Sequence, residues 1–272
     1  MKRLFLLIGL IVPYWLTLPG GDGPAFLDSD SFWPIVYALC SLGLFGLASW
    51  WLFDLDSTDR VDTLSRLCIG GIGGIAILCL LNAAKGHIAL ADRYFGAPAG
   101  LVFSLFGLTS FFAESTSVPM WLSIARYTVN VGLTEEPPKA IAAPTDVHDR
   151  LRTRAALGFC SGIGFGVAEA LIYSSDYAGS ADWTLYLVRF VFCVGLHGAM
   201  SGMAVLLLPE DWWEIERWWY TALCLLPIAF LHGTYDALLM RDQSIWAGVV
   251  ATVTVAVLPV WVWVQEEMVG EA

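Results

Sequence analysis

The sequence predicts an all-α protein, a polytopic transmembrane helical bundle of eight or nine helices. Of its 272 residues, 57% are hydrophobic and only 14% are charged, whereas an ordinary soluble domain has about 25% charged residues. Nine apolar runs could each cross a bilayer. Paired tryptophans stand at the ends of several runs, where an amphipathic indole ring prefers the headgroup layer.

The runs cover residues 4–18, 32–53, 67–90, 99–113, 118–133, 155–175, 184–208, 218–240 and 245–264. The first has the length and flanking charge of a signal peptide but no small-x-small cleavage site, so we interpret it as a span. Spans of about 20 residues use nearly the whole chain, and no linker divides it. We therefore expect one integral membrane domain, 1–272. Residues 1–96 carry no motif, 118–240 form a motif-bearing core, and 245–272 form the last helix and a short cytoplasmic tail.

The charge balance excludes one class of partner. Lysine and arginine number 14 against 25 aspartates and glutamates, a net charge of -11, which repels nucleic acid. Membrane lipid and membrane proteins are the expected partners. The six cysteines lie in apolar runs without C-x-x-C spacing, and we interpret them as small buried hydrophobes. The basic segment 144–154 indicates a cytoplasmic loop, in a multi-pass protein of the plasma membrane.

The segment 99–133 leaves the number of helices open. If this segment crosses the membrane once, the basic residues of the N-terminal half lie in the cytoplasm and the bundle has eight helices. If instead the helix from Val118 continues to 141–143, two crossings give nine. Glycines at small-xxx-small spacing, such as Gly158, Gly162 and Gly166, predict closely packed helix backbones.

Ionisable residues in the C-terminal half point to a buried site. Each costs about 2.5 to 3.5 kcal/mol at the bilayer centre, so partners or a wet cavity are needed. At about 1.5 Å per residue, Glu169, His197 and His232 lie roughly 16 to 21 Å into their runs, in one layer. The full set comprises Glu135, Glu136, Glu169, His197, His232 and Asp236. Four segments therefore converge on one pocket.

Simpler interpretations of single residues remain open. Glu135 and Lys139 have the spacing of a helical ion pair, and His232 and Asp236 also share a helix face. Arg189 lies near a span end and can snorkel. A non-catalytic membrane scaffold or immunity-type protein is the main alternative function. A proton-coupled transporter is disfavoured because the polar set is confined to one half and no inverted repeat is found.

Four motifs, in order over about residues 130–240, resemble the PrsW family of intramembrane proteases, relatives of CAAX prenyl endopeptidases and bacteriocin-immunity membrane proteins. The family's E-E-x-x-K is similar to residues 135–139, and its aspartate-led G-x-G-F-x-x-x-E helix to Asp149 and 162–169. Its histidine with a following glycine is similar to His197 and Gly202, and its H-G-x-x-D to 232–236. The sequence departs from the pattern at 137–138, where two prolines remove backbone donors.

The resemblance implies an intramembrane endopeptidase that acts on a membrane protein. It also implies that both motif glutamates and a histidine take part in the reaction. We assign Glu136 as the base that activates water and Glu135 as orienting it or sharing the proton. His197 and His232 either polarise the scissile carbonyl or, with Glu169 or a motif glutamate, hold one divalent metal, zinc. Asp236 fixes the tautomer of His232, and Lys139 has a supporting role. Both metal-dependent and metal-free mechanisms stay open.

Overall fold

The structure is a computed structural model that describes residues 32–53, 65, 68–72, 119–141, 150–173, 186, 188–208 and 218–270. All regular secondary structure in these ranges is helical, as predicted. The predicted runs at 4–18 and 99–113 lie outside the described residues, as does most of the run at 67–90.

Seven α-helices are described: α1 (Phe32–Leu52), α2 (Met120–Tyr127), α3 (Leu133–Ile141), α4 (Leu151–Tyr173), α5 (Val194–Leu207), α6 (Trp218–Leu239) and α7 (Ser244–Gly270). Four segments among the described residues are long and apolar enough to cross a membrane. They are Pro34–Leu52, Val188–Leu207, Trp219–Leu239 and Ser244–Met268. The chain is therefore an integral membrane protein.

The end of α7 differs from the prediction. The helix was expected to stop at Val264 before a short tail, but it continues to Gly270. Gln265, Glu266 and Glu267 are good helix formers. The extension is also held to α4, because Arg152 Nε donates to Glu266 Oε1 over 2.9 Å.

Two π-helical turns interrupt otherwise regular helices. Thr128–Gly132 joins α2 to α3, and Val188–Cys193 leads into α5. The first gives a continuous helical path from Met120 to Ile141, so the helix does not end at Leu133; residues 99–113, on which the choice between eight and nine helices also depends, lie outside the described residues. π turns often mark functional sites, and here each directly precedes a helix that carries predicted site residues.

Helices α4 and α5 pack together at the centre of the described structure. Residues 155–170 and 194–205 are all buried. The predicted glycine ladder makes this packing close, because a Cβ on Gly162 would lie 2.1 Å from the carbonyl oxygen of His197, and one on Gly158 would lie 2.7 Å from that of Ser201. The backbones of α4 and α5 therefore touch without side chains between them.

The remaining helices surround this pair. Helix α6 packs on α2 and on the first π turn, α1 packs on α4, and α7 packs on α5 and α6. The contact of α6 with the π turn is also backbone to backbone, since a Cβ on Gly132 would lie 2.4 Å from the carbonyl oxygen of Ala229. On α7, exposed apolar residues such as Ile245, Val249 and Val253 face outward. This surface is suited to lipid.

Candidate active site

Predicted site residues from four helices lie together in the interior. Glu135 and Glu136 come from α3, Glu169 from α4, His197 from α5 and His232 from α6, and none is more than 8% exposed. The rings of the two histidines meet edge to face with centroids 5.0 Å apart. The convergence expected from residue depth is thus present in the fold.

Lys139 occupies the middle of this group. Its ammonium Nζ lies 2.9 Å from Glu136 Oε1 and 3.3 Å from Glu135 Oε2. The same Nζ lies 2.7 Å from Nδ1 of His197 and 4.2 Å from the centre of the Phe165 ring. Because an ammonium group can only donate hydrogen bonds, Nδ1 of His197 is the acceptor in this contact. Lys139 therefore links the glutamate pair on α3 to the histidine on α5.

His232 faces the glutamate pair from the other side. Its Nδ1 lies 2.8 Å from Glu136 Oε1, while its Nε2 lies 3.9 Å from Glu135 Oε2 and 3.6 Å from Asp236 Oδ2. Oε1 of Glu136 thus receives two partners, Lys139 and His232. The other oxygen, Glu136 Oε2, is buried without a hydrogen-bond partner among the described residues.

Glu169 lies on the far side of His197 from Lys139. Its Oε2 is 2.6 Å from His197 Nε2 and 3.8 Å from Cys193 Sγ, and its Oε1 is 4.0 Å from Arg189 Nη1. Both nitrogens of His197 are therefore engaged, one toward Lys139 and one toward Glu169. This fixes the orientation of the ring.

Two groups of donor atoms could hold a metal ion. One consists of Glu135, His197 and His232, and the other of Glu169, Cys193 and His197; within each group the ligand atoms lie within 4.8 Å of one another. The sequence left open whether Glu169 or a motif glutamate joins the two histidines, and the structure groups Glu135 with both of them. Two imidazoles and a carboxylate are a donor set typical of catalytic zinc. Tetrahedral geometry would separate His232 Nε2 and Glu135 Oε2 by about 3.4 Å, close to their observed 3.9 Å.

Sequence reasoning missed two neighbours of Glu169. Arg189 was expected to snorkel at a span end, and Cys193 was interpreted as a buried hydrophobe. Cys193 is buried as expected, but both residues contact the Glu169 carboxylate. They precede His197 by eight and four residues, a spacing that places them on the histidine's helix face. That spacing is the signal that could have found them.

Comparison with models of known protein families identifies the family of this chain. A family model described as PrsW family intramembrane metalloprotease matches residues 87–264, well over half of the chain. No curated protein matches the chain, and no solved structure matches it.

Proposed function

The chain belongs to the PrsW family of intramembrane metalloproteases, and from this premise we propose that it hydrolyses a peptide bond of a membrane-associated protein substrate by glutamate-activated water. We further propose that it acts as a single integral domain in the plasma membrane. The observation that carries the mechanism is the buried contact of Glu136 with His232 and with Lys139, whose ammonium also contacts His197.

Glu136 is the proposed general base. Oε1 is held by Lys139 and His232, which leaves the buried Oε2 as a free acceptor. An unpaired buried oxygen indicates an unseen water or a catalytic role. A water bound to Oε2 gives its proton to Glu136 as its oxygen attacks the scissile carbonyl carbon. Glu136 then delivers that proton to the leaving amine nitrogen as the C–N bond breaks.

The other charged groups stabilise this reaction. Lys139 offsets the negative charge of the glutamate pair at contact distances of 2.9 and 3.3 Å, and this attraction is strong where water is excluded. In its doubly protonated form, His232 donates from Nε2 to the developing oxyanion once the substrate carbonyl enters. His197, whose two nitrogens are engaged by Lys139 and Glu169, holds the lysine in position. Asp236, 3.6 Å from His232 Nε2, is a positioning residue for that ring.

We propose Glu135, His197 and His232 as the residues that would hold a zinc ion. Bound there, the metal would polarise a carbonyl and make water more nucleophilic. Lys139 Nζ now contacts both Glu135 and His197 Nδ1, so the lysine side chain would have to withdraw from Nδ1 before a metal could use that lone pair. This competition distinguishes the site from an open zinc centre.

Glu136→Gln tests the base assignment. The amide keeps the size of the side chain but cannot accept the proton, so cleavage of a co-expressed panel of single-span substrates should fall by about 10²–10⁴-fold. Glu266→Gln is the matched control, since Glu266 pairs with Arg152 and has no contact with the pocket residues in the described structure. Retained cleavage by Glu136→Gln would remove the base role. Failure of the wild type on a broad panel would favour the non-catalytic scaffold.

A further inference from the structure

A second group of possible metal ligands lies behind His197, on the side away from the glutamate pair. Glu169, Cys193 and His197 come from α4, the second π turn and α5, and all three are buried. The proposed mechanism uses neither the thiol of Cys193 nor the carboxylate of Glu169. Sulfur, nitrogen and oxygen donors together are suited to Zn²⁺ and, because of the thiolate, to the softer Cd²⁺.

The spacing of these atoms is close to that of a tetrahedral site. Typical zinc–ligand bond lengths place a thiolate sulfur and a carboxylate oxygen about 3.6 Å apart, and Cys193 Sγ and Glu169 Oε2 are 3.8 Å apart. His197 Nε2 is 2.6 Å from the same oxygen, whereas a shared metal would separate them by about 3.4 Å. The imidazole would therefore retreat by about 0.8 Å, and the other two ligands would stay almost in place.

Charge and access around this group also allow a cation. Arg189 approaches Oε1 of Glu169 at 4.0 Å, so the Oε2 that faces Cys193 and His197 is left to a ligand. Glu169 is the most exposed of the three, with 10% of its side chain accessible. The carboxylate is therefore the ligand of this group that lies nearest the surface of the described structure.

We propose that Glu169, Cys193 and His197 form a second, thiolate-containing metal site that is inhibitory when filled. Binding replaces the Cys193 S–H bond with a sulfur–metal bond and releases the proton to solvent. It also breaks the Glu169–His197 hydrogen bond. As the imidazole moves away from Lys139, the ring proton passes from Nε2 to Nδ1, which leaves the lone pair of Nε2 for the metal. Metal binding at this site is independent of the proposed protease function, and only the inhibition rests on it.

Cadmium titration of the purified full-length protein in detergent tests the site without a substrate. The readouts are the sulfur-to-cadmium charge-transfer absorption and the cadmium bound per chain. Wild type should develop the band, and Cys193→Ser should lose it and bind one cadmium fewer. Cys160→Ser is the matched control, because Cys160 is also buried but its thiol donates a hydrogen bond to Ser49 and belongs to neither group of possible metal ligands; it should behave as wild type.

Each outcome decides the proposal. An undiminished band in Cys193→Ser, or an equal loss in Cys160→Ser, would overturn the site. If Cys193→Ser fails to fold, Glu169→Gln retains the thiol and should weaken cadmium binding at least tenfold; unchanged affinity would equally overturn it. If wild type cleaves a substrate, cadmium should inhibit that cleavage, and cleavage by Cys193→Ser should not be inhibited. Absence of any cleavage would count against the protease function but leaves the cadmium result standing.

Discussion

Gly162→Ala should disturb both stability and the site, because Gly162 lies where α4 and α5 touch. The new Cβ would lie 2.1 Å from the carbonyl oxygen of His197 and 2.6 Å from Ser201 Oγ. Ordinary contact begins near 3.4 Å, so α5 must move away by about 1.3 Å. The obstructing atom belongs to the backbone and cannot rotate aside. Overpacking of this kind costs about 1–3 kcal/mol.

The same shift acts directly on the catalytic group. His197 is held at 2.7 Å from Lys139 and 2.6 Å from Glu169, and moving its backbone by about 1.3 Å breaks or lengthens both contacts. A misplacement of about 1 Å can lower a catalytic rate about 10²-fold. We therefore expect a lower melting temperature and a cleavage rate reduced by about two orders of magnitude.

Thermal unfolding in detergent and cleavage of a substrate identified by the panel are the two assays. Gly248→Ala on α7 is the matched control, since its Cβ would lie 3.8 Å from the Phe192 ring, an ordinary contact. It should change stability by no more than about 0.5 kcal/mol and leave cleavage unchanged. If Gly162→Ala melts and cleaves like wild type, the backbone contact between α4 and α5 does not hold His197 in place.

Two further predictions concern charge and metal. Lys139→Met should lower the free energy of unfolding by about 3–5 kcal/mol, because it leaves buried carboxylates without their cation. Thermal unfolding should show partial recovery in Lys139→Met/Glu136→Gln, and a double variant no more stable than the single one would contradict this ion pair. In a Cys193→Ser background, His232→Asn should weaken zinc binding by more than about 10-fold, as measured by competition with a chromogenic chelator. Equal zinc affinity with and without His232 would exclude it as a ligand.

The depth of the site was predictable from the sequence, but the pairing within it was not. Counting residues along the runs placed Glu169, His197 and His232 in one layer, and the structure brings them together. Which carboxylate stands beside which imidazole depends on how each helix is rotated about its own axis. Neither π turn is encoded by a recognisable pattern, and each changes that rotation. The sequence therefore left open which glutamate joins both histidines, and the structure groups Glu135 with them.

The contacts of Lys139 were also only partly predictable from the sequence. Its spacing to Glu135 and Glu136 predicts contacts along α3, and both exist. Its 2.7 Å contact with His197 joins residues that are 58 positions apart in the sequence. Rules based on spacing within one helix cannot predict such a contact. The helix itself continues through Pro137 to Ile141, although the two prolines remove backbone donors from it.

The π turn at Thr128–Gly132 makes the direction of α3 depend on residue number as much as on residue type. If one residue were deleted there as the turn relaxed to α-helix, the direction of α3 would be almost kept, because a π turn is in effect an α-helical turn with one residue added. If the turn relaxed with all five residues in place, everything after it would rotate by about 90°, since each residue of an α-helix turns through about 100° and each residue of a π-helix through about 82°. Glu135 and Glu136 would swing out of the pocket while their motif, hydropathy and immediate neighbours stayed unchanged. A homologue could thus preserve every letter of E-E-x-x-K and still be inert if this turn were regular α-helix of the same length, so the winding of the preceding helix must be considered alongside the motif when activity is transferred between relatives.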